Sequence, residues 1–288
     1  MEEMKVCNLL ETYMSEYAES QIVSVARTRS AVKALNQQFG QIDHARLSAA
    51  MLRNYRRDEE LAPASVNREF AVLSAALKYA LNEGLIRKIP DIKKRPGAGR
   101  RVQWLSPGEI KTLLAEAARH QGVFDFAFVT LMTGQRLQAV LGLRWEQVDL
   151  GGQERNNVIW FTDRTLLHAH RRKGRGSVPI NPQLVPVLER LKAESKSPYV
   201  LVNRYGVRYQ DINRKHWREV VAAAGMSWLT PHHLRHTVAS QLIEAQVPLI
   251  EVSKLLGHKN TRVTEAIYVH TQPQLLTTAV TRLGELAS

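Results

Sequence analysis

The sequence predicts a mainly α-helical protein with a small antiparallel β-sheet, divided into an all-helical N-terminal domain (residues 1–90) and a larger α+β domain (residues 103–288). Three observations predict it. Apolar residues in the first part recur at the helical period, a basic stretch rich in helix breakers follows, and short β-branched or aromatic runs are confined to the middle of the remainder.

The first domain rests on two amphipathic patterns. Val6, Leu9, Leu10, Tyr13, Met14 and Tyr17 fall at i, i+3, i+4, i+7, i+8 and i+11, one face of a helix, with Cys7 as a small core residue within it. Ser65 opens another helix, with Phe70, Leu73 and Leu77 facing inward and Gly84 as its C-terminal cap. Residues 91–102 then read as a basic linker. Pro96, Gly97 and Gly99 interrupt regular structure, and Lys93, Lys94, Arg95, Arg100 and Arg101 are opposed only by Asp91. Such a stretch either meets a polyanion or is a solvated connector.

In the second domain, Ser106-Pro107-Gly108-Glu109 is a helix start, with Ser as N-cap, Pro in the first turn and Glu three residues after the cap. Ile110, Leu113, Leu114 and Ala117 supply its buried face. Val158–Phe161, Val178–Ile180 and Tyr199–Val202 predict the strands of the sheet. Helices resume after Asn181-Pro182, around residues 210–224, and after Thr230-Pro231.

Charge narrows the partner. The chain of 288 residues carries 40 Lys and Arg against 27 Asp and Glu, a formal charge of +13, with a pI near 10.0. Residues 1–91 hold 12 basic and 12 acidic side chains, so the whole excess lies in residues 92–288. Within the neutral part, Arg27, Arg29, Lys33, Arg46, Arg53, Arg56 and Arg57 stand against Asp43 alone between residues 20 and 57, which gives that domain a basic face. A polyanion is expected, nucleic acid ahead of an anionic membrane surface. No run approaches the roughly 20 apolar residues that span a bilayer, and Met1-Glu2-Glu3 is no basic leader, so a cytoplasmic protein is expected. The single cysteine, Cys7, excludes an internal disulfide and any Cys-rich metal site.

A helix opening at Pro231 places His232, Arg235 and His236 at i, i+3 and i+4, on one polar face. Leu234, Val238 and Leu242 form a separate i, i+4, i+8 row, expected to be buried and to turn the polar face toward a cleft. Alone, this face reads equally as surface basic residues, or His232 and His236 as a zinc pair lacking further ligands.

Its surroundings give it meaning. In order stand Thr133-Gly134-Gln135-Arg136, His232-His233-Leu234-Arg235-His236-Thr237, Leu256-Gly257-His258 and, ten residues on, Tyr268. This order resembles the tyrosine recombinase (phage integrase) family. That family has a Thr-Gly-x-Arg box, a His-x-Leu-Arg-His box, a Gly-His and then a nucleophilic Tyr in a segment like Thr264-Glu265-Ala266-Ile267-Tyr268-Val269-His270. Each box is weak alone, but four in order are strong. The resemblance covers nearly the whole chain and implies a helical core-binding domain and an α+β catalytic domain that clamp double-stranded DNA between them.

The resemblance implies a site-specific recombinase or integrase of a mobile element, working through a 3′-phosphotyrosyl intermediate on Tyr268. It also implies no nucleotide or metal cofactor, four protomers on two DNA sites, an accessory DNA-bending protein as a further partner, and association with the nucleoid. Arg136 and Arg235 take the phosphate oxygens, a task suited to the planar, always charged guanidinium fork. Because a phenol has a pKa near 10, it needs a base, and His232 is assigned that place. His258 donates to the phosphate, and His236 is structural. The leaving 5′ oxygen receives its proton from a hairpin lysine. Lys173 is the candidate, with Arg171 at that place in the alternative register.

One departure stands out: the family usually has Glu three residues after the first Arg, where this chain has Ala139. Gln138, or an acid from elsewhere in the chain, is a candidate substitute. Two other readings stay open: a type IB topoisomerase-like nick-and-reseal enzyme, and a non-catalytic DNA-binding regulator on the same fold. Ala139 favours the regulator, and Tyr268 with both arginines opposes it. Residues 273–288, with Leu275, Leu276, Val280 and Leu283, are expected to form a tail helix, docking either on a neighbouring protomer or within its own chain.

Overall fold

A computed structural model describes residues 4–22, 24–56, 61–96, 103–151, 157–161 and 177–257. The chain divides into two compact units, Met1–Arg100 and Arg101–Ser288.

In the first unit, α1 (Val6–Tyr13) continues through a π turn at Met14–Ala18 into the short α2 (Glu19–Gln21), followed by α3 (Val25–Phe39), α4 (Ala49–Asn54) and α5 (Pro63–Asn82). Leu9 and Leu10 of α1, Leu35 of α3, and Phe70, Leu73 and Leu77 of α5 meet in one buried core. The π turn shifts the expected helical face. An i→i+5 bond admits one extra residue per turn, so Ala18 is fully buried while Tyr17 is 43% exposed and stacks on Tyr13 with ring centroids 5.7 Å apart. Cys7 is only partly buried, and its thiol lies 3.3 Å from Asn8 Oδ1. Helix α5 begins at Pro63 rather than Ser65, since proline occupies the first turn and Ala62 O accepts the Ser65 N–H. Gly84 follows its C-cap with φ +72°. Arg95 is fastened to this unit. Its N–H donates to Asn67 Oδ1 (2.7 Å), its carbonyl accepts from Asn67 Nδ2 (2.8 Å), and its guanidinium reaches Tyr55 O.

The second unit contains α6 (Pro107–Ala117), α7 (Gln121–Thr133), α8 (Leu137–Leu141), β1 (Val148–Asp149), β2 (Val158–Trp160), β3 (Ser177–Pro179), α9 (Val185–Glu194), α10 (Arg214–Ala223), α11 (Pro231–Glu244) and α12 (Leu249–Leu256). Ser106 and Glu109 close the expected capping box on α6. The sheet has order β1-β2-β3, antiparallel throughout, with Ile159 opposite both Val148 and Val178. Its third strand is β1 and not Tyr199–Val202, a correction to the sequence-based expectation. The latter segment makes only isolated bridges, Arg144 to Tyr199 and Val202 to Arg208. A two-residue strand is too short to leave a periodic signal.

Helix α7 packs against α6, α8 and α11. Val123, Phe126, Ala127, Val129 and Leu131 are all buried, and residues on nearly every side of it are apolar, the pattern of a helix covered all round. Among the described residues, no helix is long and apolar enough to cross a membrane.

The charged exception on α7 is Asp125, buried and bonded by Gln121 Nε2 (2.9 Å) and by Arg190 of α9. Burial raises its carboxyl pKa although the cation is adjacent. Arg190→Ala is expected to lower stability by about 2 kcal/mol. This is less than the 3–5 kcal/mol of a fully buried pair, because the Arg190 side chain is 34% exposed. Urea unfolding followed by tryptophan fluorescence checks it, and a loss under about 0.5 kcal/mol would mean that Gln121 alone satisfies the carboxylate.

Candidate active site

The turn after α7 is shaped by a glycine. Gly134 has φ +64° and donates its N–H to Thr130 O (2.8 Å), ending the helix. A Cβ at this position would lie 3.0 Å from Leu256 Cδ2 and 3.2 Å from Val238 Cγ1, so a side chain is excluded by both backbone conformation and space. Gln135 is buried and donates Nε2 to Leu255 O (2.7 Å), tying the turn to α12. The chain then reverses, and Arg136 becomes the N-cap residue of α8.

Helix α11 opens as the sequence predicts, with Thr230 before Pro231. The Thr230 N–H donates to Nδ1 of His233 (2.9 Å), so histidine takes the place that Glu or Gln holds in a capping box. Further along, Thr237 Oγ1 accepts from Leu105 N–H (3.0 Å), and Gln241 Nε2 donates to Leu105 O (2.8 Å). These bonds clamp the entry to α6 against α11.

Arg235 does not lie on an open polar face. It is 4% exposed, its Nη1 donating to Gly134 O (2.9 Å) and its Nη2 to Leu256 O (2.6 Å). The long side chain passes through the packed interior and reaches two helix ends, which a face assignment from spacing alone does not anticipate. His232 is exposed at the surface and His236 is partly buried, with rings edge to face at 4.7 Å. Of the expected apolar row, Leu234 is fully buried while Val238 and Leu242 are half-buried.

Arg136, Arg235 and His232 are thereby brought together. Desolvation, then the charge of Arg235, then His233 and Arg136 hold the His232 pKa below the usual histidine value, so its imidazole is neutral at pH 7. Burial also lowers the Arg136 pKa. The Arg136 Nη1 is buried and has no hydrogen-bond partner among the described residues. Ala139, 4% exposed, contributes its methyl group to the apolar core. Gln138 does not substitute for the missing carboxylate. Its amide donates to Gln210 O (2.9 Å), and its oxygen accepts from Arg208 Nη2 (3.3 Å).

Lys173, its alternative Arg171, His258, Tyr268 and the tail segment 273–288 lie outside the described residues. Gln135, His233 and Thr237 are the supporting residues that sequence reasoning missed. His233 had a readable signal, a polar residue three positions after a capping threonine, whereas nothing local marked the long-range bonds of Gln135 and Thr237.

A sequence profile of the phage integrase family matches residues 103–274. The chain is 30% identical over 251 residues to a protein called tyrosine recombinase XerC-like from Caldanaerobacter subterraneus subsp. tengcongensis, an alignment covering 74% of this chain and 64% of that protein. It is 31% identical over 240 residues to tyrosine recombinase XerD of Lacticaseibacillus casei, covering 76% of each. The chain thus spans somewhat under two thirds of the first relative's length. Its fold matches the Tn1549 transposon integrase solved with transposon right end DNA, with TM-score 0.82, 17% identity, and coverage of 99% of this chain and 100% of that one. It also matches the lambda integrase tetramer solved on a Holliday junction, with TM-score 0.68, 18% identity, and coverage of 92% and 77%.

Two outcomes are expected from this geometry. Gly134→Ala should destabilise the fold by about 1–2 kcal/mol from the left-handed backbone alone, and by more once Leu256 and Val238 are displaced. An unfolding midpoint equal to that of the parent chain would contradict the contact geometry. The folded pKa values of His232 and His233 both lie below the ordinary 6.5. The unfolded chain therefore binds more protons between those values and 6.5, and stability should fall as pH drops through that window and level off above it. Melting temperatures between pH 5 and 8 report this, and His232→Asn should flatten the slope.

Proposed function

The chain belongs to the phage integrase family of tyrosine recombinases, and from that premise we propose that it is a site-specific DNA recombinase, cutting and rejoining double-stranded DNA through a 3′-phosphotyrosyl link to Tyr268. The observation that carries the reading is the charge state of the described part of the site. Arg136 holds a buried N–H without an acceptor among the described residues, beside the second guanidinium of Arg235 and a neutral His232. An anion with several acceptor oxygens satisfies such a group, and the phosphodiester is that anion.

In the proposed reaction the Tyr268 oxygen attacks phosphorus while His232 takes the phenolic proton. Charge gathering on the non-bridging oxygens meets Arg136 and Arg235, with His258 as a further donor. The bond from phosphorus to the 5′ oxygen breaks, and Lys173 supplies the proton that the leaving oxygen needs. The tyrosyl ester conserves the bond energy, so an incoming 5′ hydroxyl later displaces Tyr268 without any cofactor.

Met1–Arg100 serves in this reading as the core-binding unit, with four protomers assembled on two DNA sites, an accessory DNA-bending protein assisting, and the enzyme residing in the cytoplasm on the nucleoid. The lambda integrase tetramer on a Holliday junction supports the four-protomer assembly. The basic excess of residues 92–288 supports DNA as the partner.

The test is a nicked substrate carrying the DNA that flanks this chain's own gene. A covalent adduct stable in detergent should form, and Tyr268→Phe should bind the DNA equally well yet form none. Adduct persisting in the Phe variant would place the nucleophile elsewhere. In the same assay Arg136→Lys should keep affinity within a few fold while slowing cleavage by roughly 100-fold, the signature of a donor used in the transition state. Equal losses in both would reduce Arg136 to a DNA anchor.

A further inference from the structure

We propose that the chain carries a divalent-cation site of the zinc type, formed by His120, His216 and Glu219 and separate from the residues that handle phosphate. His120 precedes the first residue of α7, while His216 and Glu219 stand at i and i+3 on α10 and so share a face. The two imidazole rings stack with centroids 4.3 Å apart and planes 22° from parallel. His120 Nε2 lies 3.4 Å from Glu219 Oε2. One ligand atom from each of the three residues falls within 4.8 Å of the other two, and among the described residues no other trio of His, Cys, Asp or Glu does so.

Two imidazoles and one carboxylate, with water in the fourth position, form a donor set suited to zinc; Ca²⁺ and Mg²⁺ prefer oxygen ligands throughout. Tetrahedral zinc with bonds of about 2.0–2.1 Å places its ligand atoms about 3.3 Å apart, so the donors must close by about 1.5 Å at most. The means are present. Both histidines line a cavity of about 530 Å³, shared with Asn203 and Tyr209, which leaves space for the rings to turn and for water to enter. Rotation of an imidazole about its second torsion is soft. Glu219 is exposed, and its other contact, Lys215 Nζ at 4.0 Å, is a long surface pair that competes weakly.

The cation would join the turn between α6 and α7 to α10. Helix α7 has 13 residues and is therefore about 20 Å long, with the proposed site at one end and the turn to Arg136 at the other. None of Arg136, His232 and Arg235 lines the cavity. The ion would thus steady the far end of the helix that leads to Arg136, without touching the reacting phosphate.

The full chain, freed of any histidine tag and dialysed against chelator, should bind one zinc ion with a dissociation constant of about 10 µM or tighter in competition with a chromogenic chelator. Saturating zinc should raise its melting temperature by about 5 °C. His216→Gln should weaken binding at least tenfold and remove the shift, Glu219→Gln should weaken it measurably, and His236→Gln should leave both intact. His120→Gln provides a second ligand deletion from the other element, should His216→Gln disturb α10 in the circular dichroism spectrum. Cobalt replacing zinc should give the visible absorption of a tetrahedral centre. No saturable binding below about 100 µM would overturn the proposal and leave an ordinary imidazole–carboxylate contact. It would equally be overturned if binding were lost in His236→Gln and kept in both His120→Gln and His216→Gln, which would move the metal to the α11 histidines.

Discussion

A buried cation held by two main-chain carbonyls organises the second unit. Arg235 is almost wholly removed from solvent, and its bonds to Gly134 O and Leu256 O place it where α7 and α12 end. Aligned peptide dipoles leave roughly half a negative charge at each helix C-terminus, so two such ends together offset about one positive charge. An isolated buried guanidinium without that compensation would cost several kcal/mol. The fold therefore has to deliver two helix ends to one point, and the left-handed glycines Gly134 and Gly257 terminate both helices there.

Arg136 lacks comparable compensation. Its Nη1 is buried without an acceptor among the described residues, and Ala139 contributes only a methyl group to the apolar core. A buried unsatisfied donor destabilises a resting protein by about 1–3 kcal/mol. Sites that must bind an anion carry this kind of local deficit, because the ligand removes it. Desolvation first, and then the charges of Arg235, His233 and Arg136, hold the His232 pKa below its ordinary value. In the proposed reaction that lowered pKa leaves the imidazole neutral and able to accept a proton.

Much of this was legible in the sequence. The capping box at Ser106, the start of α11 at Pro231, the inner face of α5 and the strand pair Val158–Trp160 with Ser177–Pro179 all follow from local chemistry acting over a few residues. The misreadings have physical causes. The π turn displaced Tyr17 because a single inserted residue breaks a period that the letters continue to display. Helix α7 carries too little polar contrast for a periodic signal, although it is central to the unit. Sequence spacing puts Arg235 on a polar face turned toward a cleft because it fixes the direction in which a side chain leaves its helix, while the destination of its tip depends on Gly134 and Leu256 in other elements. The Arg136, His232 and Arg235 grouping was readable only through the order of the short boxes.

The glycine of the first box has a consequence for what that box records. Gly134 is required because its backbone is left-handed and a Cβ there would crowd Leu256 and Val238, and the turn it permits presents its carbonyl to Arg235. Its neighbour Gln135 is likewise engaged with the backbone at Leu255. Two of the four letters in Thr133-Gly134-Gln135-Arg136 are thus constrained by packing, and Leu256-Gly257 in the third box adds a helix end to the same junction. A descendant that had discarded strand cleavage would still need them to fold. Their presence is a record of architecture, and only the positions that meet the phosphate would report whether the lineage had kept its chemistry.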